Sequence, residues 1–309
     1  MIYSLTVNPA LDRELTVPEI RMNEVLRAEI VRVDCGGKGL NVSRALASLG
    51  QPSVAMGFVG GDTGRRLERE LAAAGVETDF LTVCGETRTN VCIVTAGSER
   101  QIKVNEPGPP VTQAEQDGLL AMIDRRVQRD DWWVVSGSLP PGADPRFYAR
   151  VIVIIRGKGG RDLLDTSDDA LQFGCAAKPY LVKPNATEAG RLTGVDVLDA
   201  RSARAAAAEL HRQGAEIAVI SLGVQGALLS TSTAGWFASP PQVAVRNANG
   251  AGDALLAGLV YSLSRGAEFP DALRTGVACG TVAAGMNGTA VPAKVEVDRL
   301  AAQVQVSPA

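Results

Sequence analysis

A short segment near the carboxyl end combines small residues with one carboxylate: Gly250-Ala251-Gly252-Asp253 precedes apolar residues at helical spacing. A loop without bulky side chains lets a ligand approach the backbone closely. If a helix begins here, its free N–H groups form an anion site beside Asp253 in the first turn. A carboxylate is useful beside a phosphate when it accepts a proton from an attacking hydroxyl. The segment alone is equally consistent with a tight turn in which Asp253 caps the helix.

A second glycine-rich segment, GGKGLN at residues 36–41, leads into a predicted helix that ends at Gly50, a typical helix-ending residue. It lacks the spacing and the hydroxyl of the GxxxxGK[ST] phosphate loop. Lys38 and Asn41 could be surface and capping residues. The adjacent glycines favour a polar ligand.

Further polar residues follow predicted strands. Asp12 follows the first strand and an Asn-Pro turn, which predicts a place at the carboxyl edge of the sheet. Arg88 could be a surface charge or a fork for a phosphate. Asn185 and Glu188 have the spacing of a capping box at a helix start, and one such carboxylate is enough for magnesium bound mainly by phosphates.

These residues must be positioned by strands and helices, which alternate regularly from residue 111 onward. The pattern predicts helices at about 112–128, 145–157 and 202–213, and strands at 133–136, 161–167, 180–183 and 218–221. Such alternation is typical of an α/β fold with a doubly wound, mostly parallel sheet and helices on both faces. Ligands bind such sheets at the carboxyl ends of the strands.

A small separate sheet is predicted from the first third of the chain. Residues 14–17 and 102–104 alternate between polar and apolar side chains, as strands with one solvated face do, and 91–94 is a more apolar strand. No convincing linker divides the sequence. We therefore predict one domain over 1–309, with the small sheet formed by segments within about 11–35 and 86–107.

The composition excludes several classes of protein. With 46% hydrophobic and 21% charged residues and a net charge of −3, the sequence offers no basic surface for nucleic acid and no apolar run for a membrane. The five cysteines are scattered and form no CxxC pair, which favours reduced thiols and a cytoplasmic location. The only histidine, His211, is predicted to be an exposed helical residue, so histidine-based catalysis and metal binding are nearly excluded.

Taken together, seven motifs resemble the ribokinase-like PfkB family of carbohydrate kinases over nearly the whole chain. In order they are NPALD (8–12), GGKGLN (36–41), TRTN (87–90), SGSLPPG (136–142), KPNATE (183–188), SLG (221–223) and GAGD (250–253). Within the family they are most similar to the sugar-phosphate kinases: 1-phosphofructokinase, tagatose-6-phosphate kinase and the minor 6-phosphofructokinase. The resemblance implies a ribokinase-like fold in which the small sheet is a β-lid that commonly pairs between subunits, giving a homodimer.

The resemblance also implies a role for individual residues. Asp253 would be the catalytic base, and the N–H groups of Gly250, Ala251 and Gly252 would stabilise the transferring phosphoryl group. The sugar hydroxyls would be bound by Asp12, Gly37 and Asn41. The phosphate already on the sugar would be bound by, or lie near, Lys38, Arg88 and Ser138, with Arg27 a weaker candidate.

On the nucleotide side, the resemblance implies ATP and Mg²⁺ as cofactors. Lys183, Asn185 and Glu188 would arrange the ATP phosphates and the magnesium ion, with Asp165 a more distant candidate. Ser221, Gly223 and Gly226 would line the nucleotide site, and Asn287 would edge the adenine pocket. Many relatives carry Asp or Ser where this chain has Asn247, and Thr or Val where it has Asn249, which puts a bound K⁺ in doubt.

The leading hypothesis is therefore ATP-dependent phosphorylation of a ketohexose phosphate, with fructose 1-phosphate giving fructose 1,6-bisphosphate. Tagatose-6-phosphate kinase and 6-phosphofructokinase are the alternatives. A non-catalytic sensor of sugar phosphates or nucleotides could dispense with Asp253, which is present. An NAD-dependent enzyme would need a GxGxxG loop after its first strand, which the sequence lacks.

Overall fold

The computed structural model describes residues 1–95, 101–246, 249–286 and 291–309. Within these residues the strands are β1 (Ile2–Thr6), β2 (Ala10–Val17), β3 (Ile30–Gly36), β4 (Val54–Val59), β5 (Glu77–Thr82), β6 (Arg88–Thr95), β7 (Gln101–Asn105), β8 (Trp132–Ser136), β9 (Arg161–Asp165), β10 (Leu181–Val182), β11 (Ile217–Ser221), β12 (Ala227–Thr231), β13 (Gly235–Ser239) and β14 (Gln305–Pro308).

The α-helices in the same ranges are α1 (Lys38–Ser48), α2 (Gly61–Ala73), α3 (Gln113–Arg126), α4 (Phe147–Gly157), α5 (Asp168–Ala176), α6 (Ala186–Thr193), α7 (Ala200–Gln213), α8 (Ala251–Leu263), α9 (Phe269–Ala284) and α10 (Lys294–Ala301). Throughout the described ranges, no helix is both long enough and apolar enough to cross a bilayer.

The prediction that His211 is exposed was wrong. Its ring nitrogens lie 2.9 Å from the Ala215 carbonyl oxygen and 3.1 Å from Ser230 Oγ, so the side chain is half-buried between α7 and β12.

The main sheet has the strand order β14-β13-β12-β11-β10-β9-β8-β1-β4-β5. From β11 to β5 neighbouring strands are parallel, whereas β12, β13 and β14 are added antiparallel at one edge. The predicted α/β fold with a mostly parallel sheet is therefore confirmed.

The core lies on both faces of this sheet because its central strands are buried on both sides. In β1 and β8, Tyr3 and Trp133 belong to one apolar cluster and stack with ring centroids 4.2 Å apart, whereas Ile2 and Trp132 belong to the other. Helices α3 to α7 contribute side chains to the first cluster. Helices α1, α8, α9 and α10 contribute side chains to the second. Alternating side chains on strands that are apolar throughout produce this two-sided burial.

The separate sheet, called the lid from here on, has the order β3-β2-β6-β7. Its register places Leu15, Val31, Ile93 and Ile102 in one row on one face, and Asp12 with Asn90 on the other. The predicted strands at 14–17, 91–94 and 102–104 all lie within it. The lid therefore has one apolar face and one polar face.

The lid is anchored where the chain enters β6. The Glu86 carboxylate accepts hydrogen bonds from the N–H groups of Asp62 and Thr63 at the start of α2. Thr87 Oγ1 accepts a hydrogen bond of 2.9 Å from the Gly60 N–H. These contacts fix β6 relative to the main sheet just before Arg88.

Candidate active site

A cleft of about 1310 Å³ runs between the polar face of the lid and the carboxyl ends of the parallel strands. Thr6, Asp165, Lys183 and Ser221 line it at or just beyond the ends of β1, β9, β10 and β11. The motifs that are far apart in the sequence therefore meet along one groove, as expected for an open α/β sheet.

The first turn of α8 forms one wall of the cleft. Gly250 precedes the helix in the left-handed region (φ 78°) and supplies no side-chain cap, which leaves the first N–H groups of the helix for a ligand. Asp253 is buried and does not cap the helix. Instead its Oδ2 accepts a hydrogen bond of 2.8 Å from Asn41 Nδ2. The alternative of a tight turn capped by Asp253 was therefore wrong.

The Asp253 carboxylate has an altered acidity. Burial, and secondly the Asp165 carboxylate, raise the pKa of Asp253 to about 6, although the Asn41 hydrogen bond and the two lysines nearby oppose the rise. A carboxylate with this pKa is ionised near neutral pH and is a better proton acceptor than an ordinary aspartate.

Lys38, Asp165 and Lys183 form a charged trio at the floor of the cleft. Asp165 is 1% exposed, and its two oxygens lie 2.7 Å from Lys38 Nζ and 2.9 Å from Lys183 Nζ. Burial would raise the pKa of Asp165, but the two ammonium groups outweigh it and hold the pKa below its ordinary value. Burial lowers the pKa of Lys38, and the Asp165 carboxylate outweighs this and raises the pKa overall.

This pairing places Lys38 beside Asp165, and its predicted role at the phosphate already on the sugar stays a prediction. Lys38 is held in the centre of the cleft because Asp165, at the end of β9, needs a countercharge. Lys183 lies next to the glycine loop, since a Cβ atom on Gly252 would be 3.5 Å from its Nζ. The trio therefore places two cations beside the anion site of α8.

Arg88 lies at the lid end of the cleft and is held by backbone carbonyls. Its Nη1 donates to the Glu106 carbonyl (2.9 Å) and its Nη2 to the Asn8 carbonyl (3.0 Å), while Ser138 Oγ lies 3.5 Å from Nη2. Its Nε is buried without a protein partner in the described ranges. Burial lowers the pKa of Arg88, against the effect of Asp12 and Glu106. An anion at Ser138 and Arg88 would fill these unused donors.

Asp12 and Asn90 lie between these two ends. The prediction that Asp12 lies at the edge of the main sheet was wrong: β2 begins at Ala10, directly after the Asn-Pro turn, so a lid strand carries Asp12. Asn90 Nδ2 donates to Asp12 Oδ1 (2.8 Å), and a Cβ atom on Gly36 would overlap this carboxyl group at 2.3 Å. Burial raises the pKa of Asp12 even though Asn90 opposes it.

These groups leave hydrogen-bonding capacity for a ligand. The side-chain oxygens of Asn41 and Asn90 are buried without a protein partner in the described part of the chain. Gly37 lines the cleft beside them. Acceptors and donors of this kind fit the hydroxyl groups of a sugar.

The cleft is less polar near the end of β11. Ser221, Gly223 and Gly226 line it there, together with apolar side chains that include Leu222, Val243, Val245, Leu255 and Val277, while the predicted contact of the first three with a nucleotide stays a prediction. Asn185 and Glu188 line it too and form the predicted capping box at the start of α6. Asn287 and Asn247 lie outside the described residues.

Three further residues differ from the prediction. Arg27 is exposed on the connection between β2 and β3 and is not among the residues lining the cleft, so this chain does not bring it to the site. Lys103 on β7 lines the cleft and was not predicted. Asn90 was also not predicted as a site residue. It lies two positions after Arg88 on a strand, and this spacing indicates that both side chains are on the same face of the sheet.

The sequence matches the family model described as pfkB family carbohydrate kinase over residues 3–295. It is 33% identical over 306 residues to a 1-phosphofructokinase of Rhodobacter capsulatus, covering 99% of this chain and 97% of the relative. It is 37% identical over 300 residues to ATP-dependent 6-phosphofructokinase isozyme 2 of Mycobacterium tuberculosis, covering 96% and 88%. The fold resembles phosphofructokinase-2 from Escherichia coli in complex with substrates and products, with a TM-score of 0.92, 32% identity and 98% of each chain covered.

Proposed function

This chain belongs to the pfkB family of carbohydrate kinases, and from that premise we propose that it phosphorylates fructose 1-phosphate with ATP to give fructose 1,6-bisphosphate. One observation carries the proposal: a single cleft holds the buried Asp253 carboxylate at α8 and the Arg88 guanidinium, with its unused Nε, at the lid. This arrangement suits a sugar with a phosphate at one end and a free primary hydroxyl at the other.

In the proposed reaction, Asp253 accepts the proton of the attacking hydroxyl while the Asn41 hydrogen bond keeps its carboxylate oriented. The N–H groups of Gly250, Ala251 and Gly252 stabilise charge on the transferring phosphoryl group, because they are preorganised at a helix start. Lys183 and Lys38 add positive charge beside this loop. Asp12, Gly37 and Asn90 bind the sugar hydroxyls, and Arg88 with Ser138 binds its phosphate.

The nucleotide would bring a magnesium ion. In the described ranges, no three His, Cys, Asp or Glu side chains are grouped as a metal cage, and the Asp165 carboxylate is already paired with two lysines. Glu188, with Asn185 beside it, fits an ion held chiefly by ATP oxygens and water, since its capping box uses only Oε2. When bound, the ion neutralises charge on the phosphates.

The direct test is a coupled assay of ADP release with fructose 1-phosphate, fructose 6-phosphate and tagatose 6-phosphate, each at several concentrations. We expect the highest kcat/KM with fructose 1-phosphate. Turnover of ribose or a nucleoside, with none of the hexose phosphates accepted, would contradict the proposal. ATP binding without turnover of any sugar would favour the sensor.

Fructose 6-phosphate is the second candidate substrate, and the identity values favour it. The chain is 37% identical to the Mycobacterium tuberculosis 6-phosphofructokinase and 33% identical to the Rhodobacter capsulatus 1-phosphofructokinase. Both substrates give the same bisphosphate, and both carry a phosphate across the sugar from a primary hydroxyl. The ratio of their kcat/KM values decides between them.

We further infer that the protein is a homodimer that pairs through the lid. The row formed by Leu15, Val31, Ile93 and Ile102 continues across all four lid strands, and Val31 is 50% exposed in the single chain. A continuous exposed apolar face of this kind marks an interaction surface.

The scattered cysteines support a cytoplasmic location for this enzyme.

A further inference from the structure

A hydrogen bond joins the outer strand of the lid to the loop before α8. Lys103 on β7 donates from Nζ to Asn249 Oδ1 at 2.6 Å. Asn249 directly precedes Gly250, and both Lys103 and Asn249 line the cleft. The contact therefore connects the lid with the segment that supplies the anion site.

We propose that Lys103 is a positioning residue, which acts through Asn249 to hold Gly250–Gly252 in the arrangement that receives the transferring phosphoryl group. The inference rests on the proposed kinase function. An external support suits this loop because glycine is conformationally permissive and because Gly250, the capping residue of α8, has no side chain with which to cap the helix. The support comes from the lid, whose polar face carries Asp12 and Asn90. Sugar binding and the order of the loop are thereby linked.

This role differs from a general contribution to folding. The Lys103 bond is exposed to solvent, and exposed contacts of this kind add little to global stability. Ordering the loop in advance, however, lowers the conformational cost that remains at the chemical step. Loss of the contact should therefore lower kcat and leave the thermal midpoint and KM nearly unchanged.

The test compares Lys103→Met, Lys103→Arg, Asn249→Ala and the double variant Lys103→Met/Asn249→Ala. Lys294→Met is the matched control, because Lys294 is an exposed lysine of α10 paired with Asp298. Amide hydrogen exchange of residues 249–256 is measured in the full-length protein without ligands, and steady-state kinetics are measured with ATP and the preferred hexose phosphate.

We expect faster exchange in this segment for Lys103→Met and Asn249→Ala. The kcat of each should fall by about ten- to a hundredfold, the loss expected for a hydrogen bond from a charged donor. Both KM values should stay within about twofold. The double variant should be no worse than either single variant, Lys103→Arg should recover most of the activity, and Lys294→Met should match the wild type.

Unchanged exchange in Lys103→Met would overturn the proposal, and so would additive losses in the double variant. A raised KM with an unchanged kcat would also overturn it, since Lys103 would then bind substrate directly. If the wild-type protein turns over no hexose phosphate, the proposed function fails, and the exchange data still decide whether the Lys103–Asn249 contact orders the loop.

Discussion

At the scale of single residues, the environment of Asp253 predicts the pH dependence of the reaction. The pKa of this buried carboxyl is raised to about 6, and only its ionised form can accept a proton. We therefore expect kcat/KM, which reports the ionisation of the protein without bound substrate, to rise with pH to a plateau with a midpoint near 6. Asp253→Asn should lower kcat by orders of magnitude at all pH values while leaving ATP binding, measured by calorimetry, largely intact. Turnover like that of the wild type in this variant would contradict the assignment of the base.

Asn41 sets part of this acidity, because its hydrogen bond lowers the pKa of Asp253. Removing the donor with Asn41→Ala should move the midpoint of the kcat/KM profile to higher pH. Asn105→Ala, which changes another asparagine of the cleft, is the control and should leave the midpoint in place. The measurement is kcat/KM from about pH 5 to pH 9, because this ratio reports the ionisation of the protein without bound substrate.

The residue types of the site could be predicted from the sequence, but several of their contacts could not. Asn41 and Asp253 were both named, yet they are 212 positions apart, and nothing in local spacing indicates their hydrogen bond. Lys38 and Asp165 were also both named, yet their ion pair was not predicted, because the two residues are 127 positions apart. Pairings between distant strand ends depend on the sheet order, which the sequence alone did not give.

At the scale of elements, the start of α2 depends on a carboxylate from outside the helix. Glu86 accepts its N–H hydrogen bonds, and these bonds lower the pKa of Glu86. Glu86→Gln should destabilise the protein by about 0.3–1 kcal/mol at pH 7, as expected for charge lost at a helix start. Glu68→Gln, in the middle of α2, is the control. The contribution of Glu86 is complete above its ordinary pKa and disappears as the pH falls through the lowered value, so thermal melts of variant and wild type should converge in acid.

Asp162, near the start of β9, predicts a pH dependence of stability opposite to that of Glu86. Asp162 is fully buried, accepts a bond from the Tyr180 N–H (3.3 Å), and has a second oxygen without a partner in the described residues. Burial raises its pKa to about 7, so the stability present when it is neutral is lost as the pH rises through that value. Asp162→Asn should therefore stabilise the protein at pH 8 by on the order of 2–4 kcal/mol, and much less at pH 5. Urea unfolding at both pH values measures this, with the exposed Asp124→Asn as control.

Most elements were predictable where the pattern was long and regular. The helices predicted at 112–128, 145–157 and 202–213 match α3, α4 and α7 to within about two residues. By contrast, β5 and the antiparallel strands β12 to β14 were not predicted. These strands are short, and β5 and β14 lie at the two edges of the sheet, where alternation gives a weak signal.

At the scale of the whole molecule, the apolar face of the lid predicts a dimer. Ile102→Lys places a charge in the row that we propose is covered, so this variant should be monomeric where the wild type is dimeric in sedimentation equilibrium. Val153→Lys, at an exposed valine of α4 outside the lid, should remain dimeric. A wild type that sediments as a monomer at micromolar concentration would contradict the inference.

The bond between Asn41 and Asp253 also has a consequence for how activity is acquired. It closes a loop of 212 residues, and α8, which carries Asp253, packs against α1. Closing so long a loop costs conformational entropy before the contact stabilises the fold, so contacts of this kind form slowly. Asp253, the proposed catalytic base, therefore gains its oriented carboxylate only after α1 and α8 have come together. During refolding, catalytic turnover should return in the final kinetic phase, after most helical circular dichroism has been recovered.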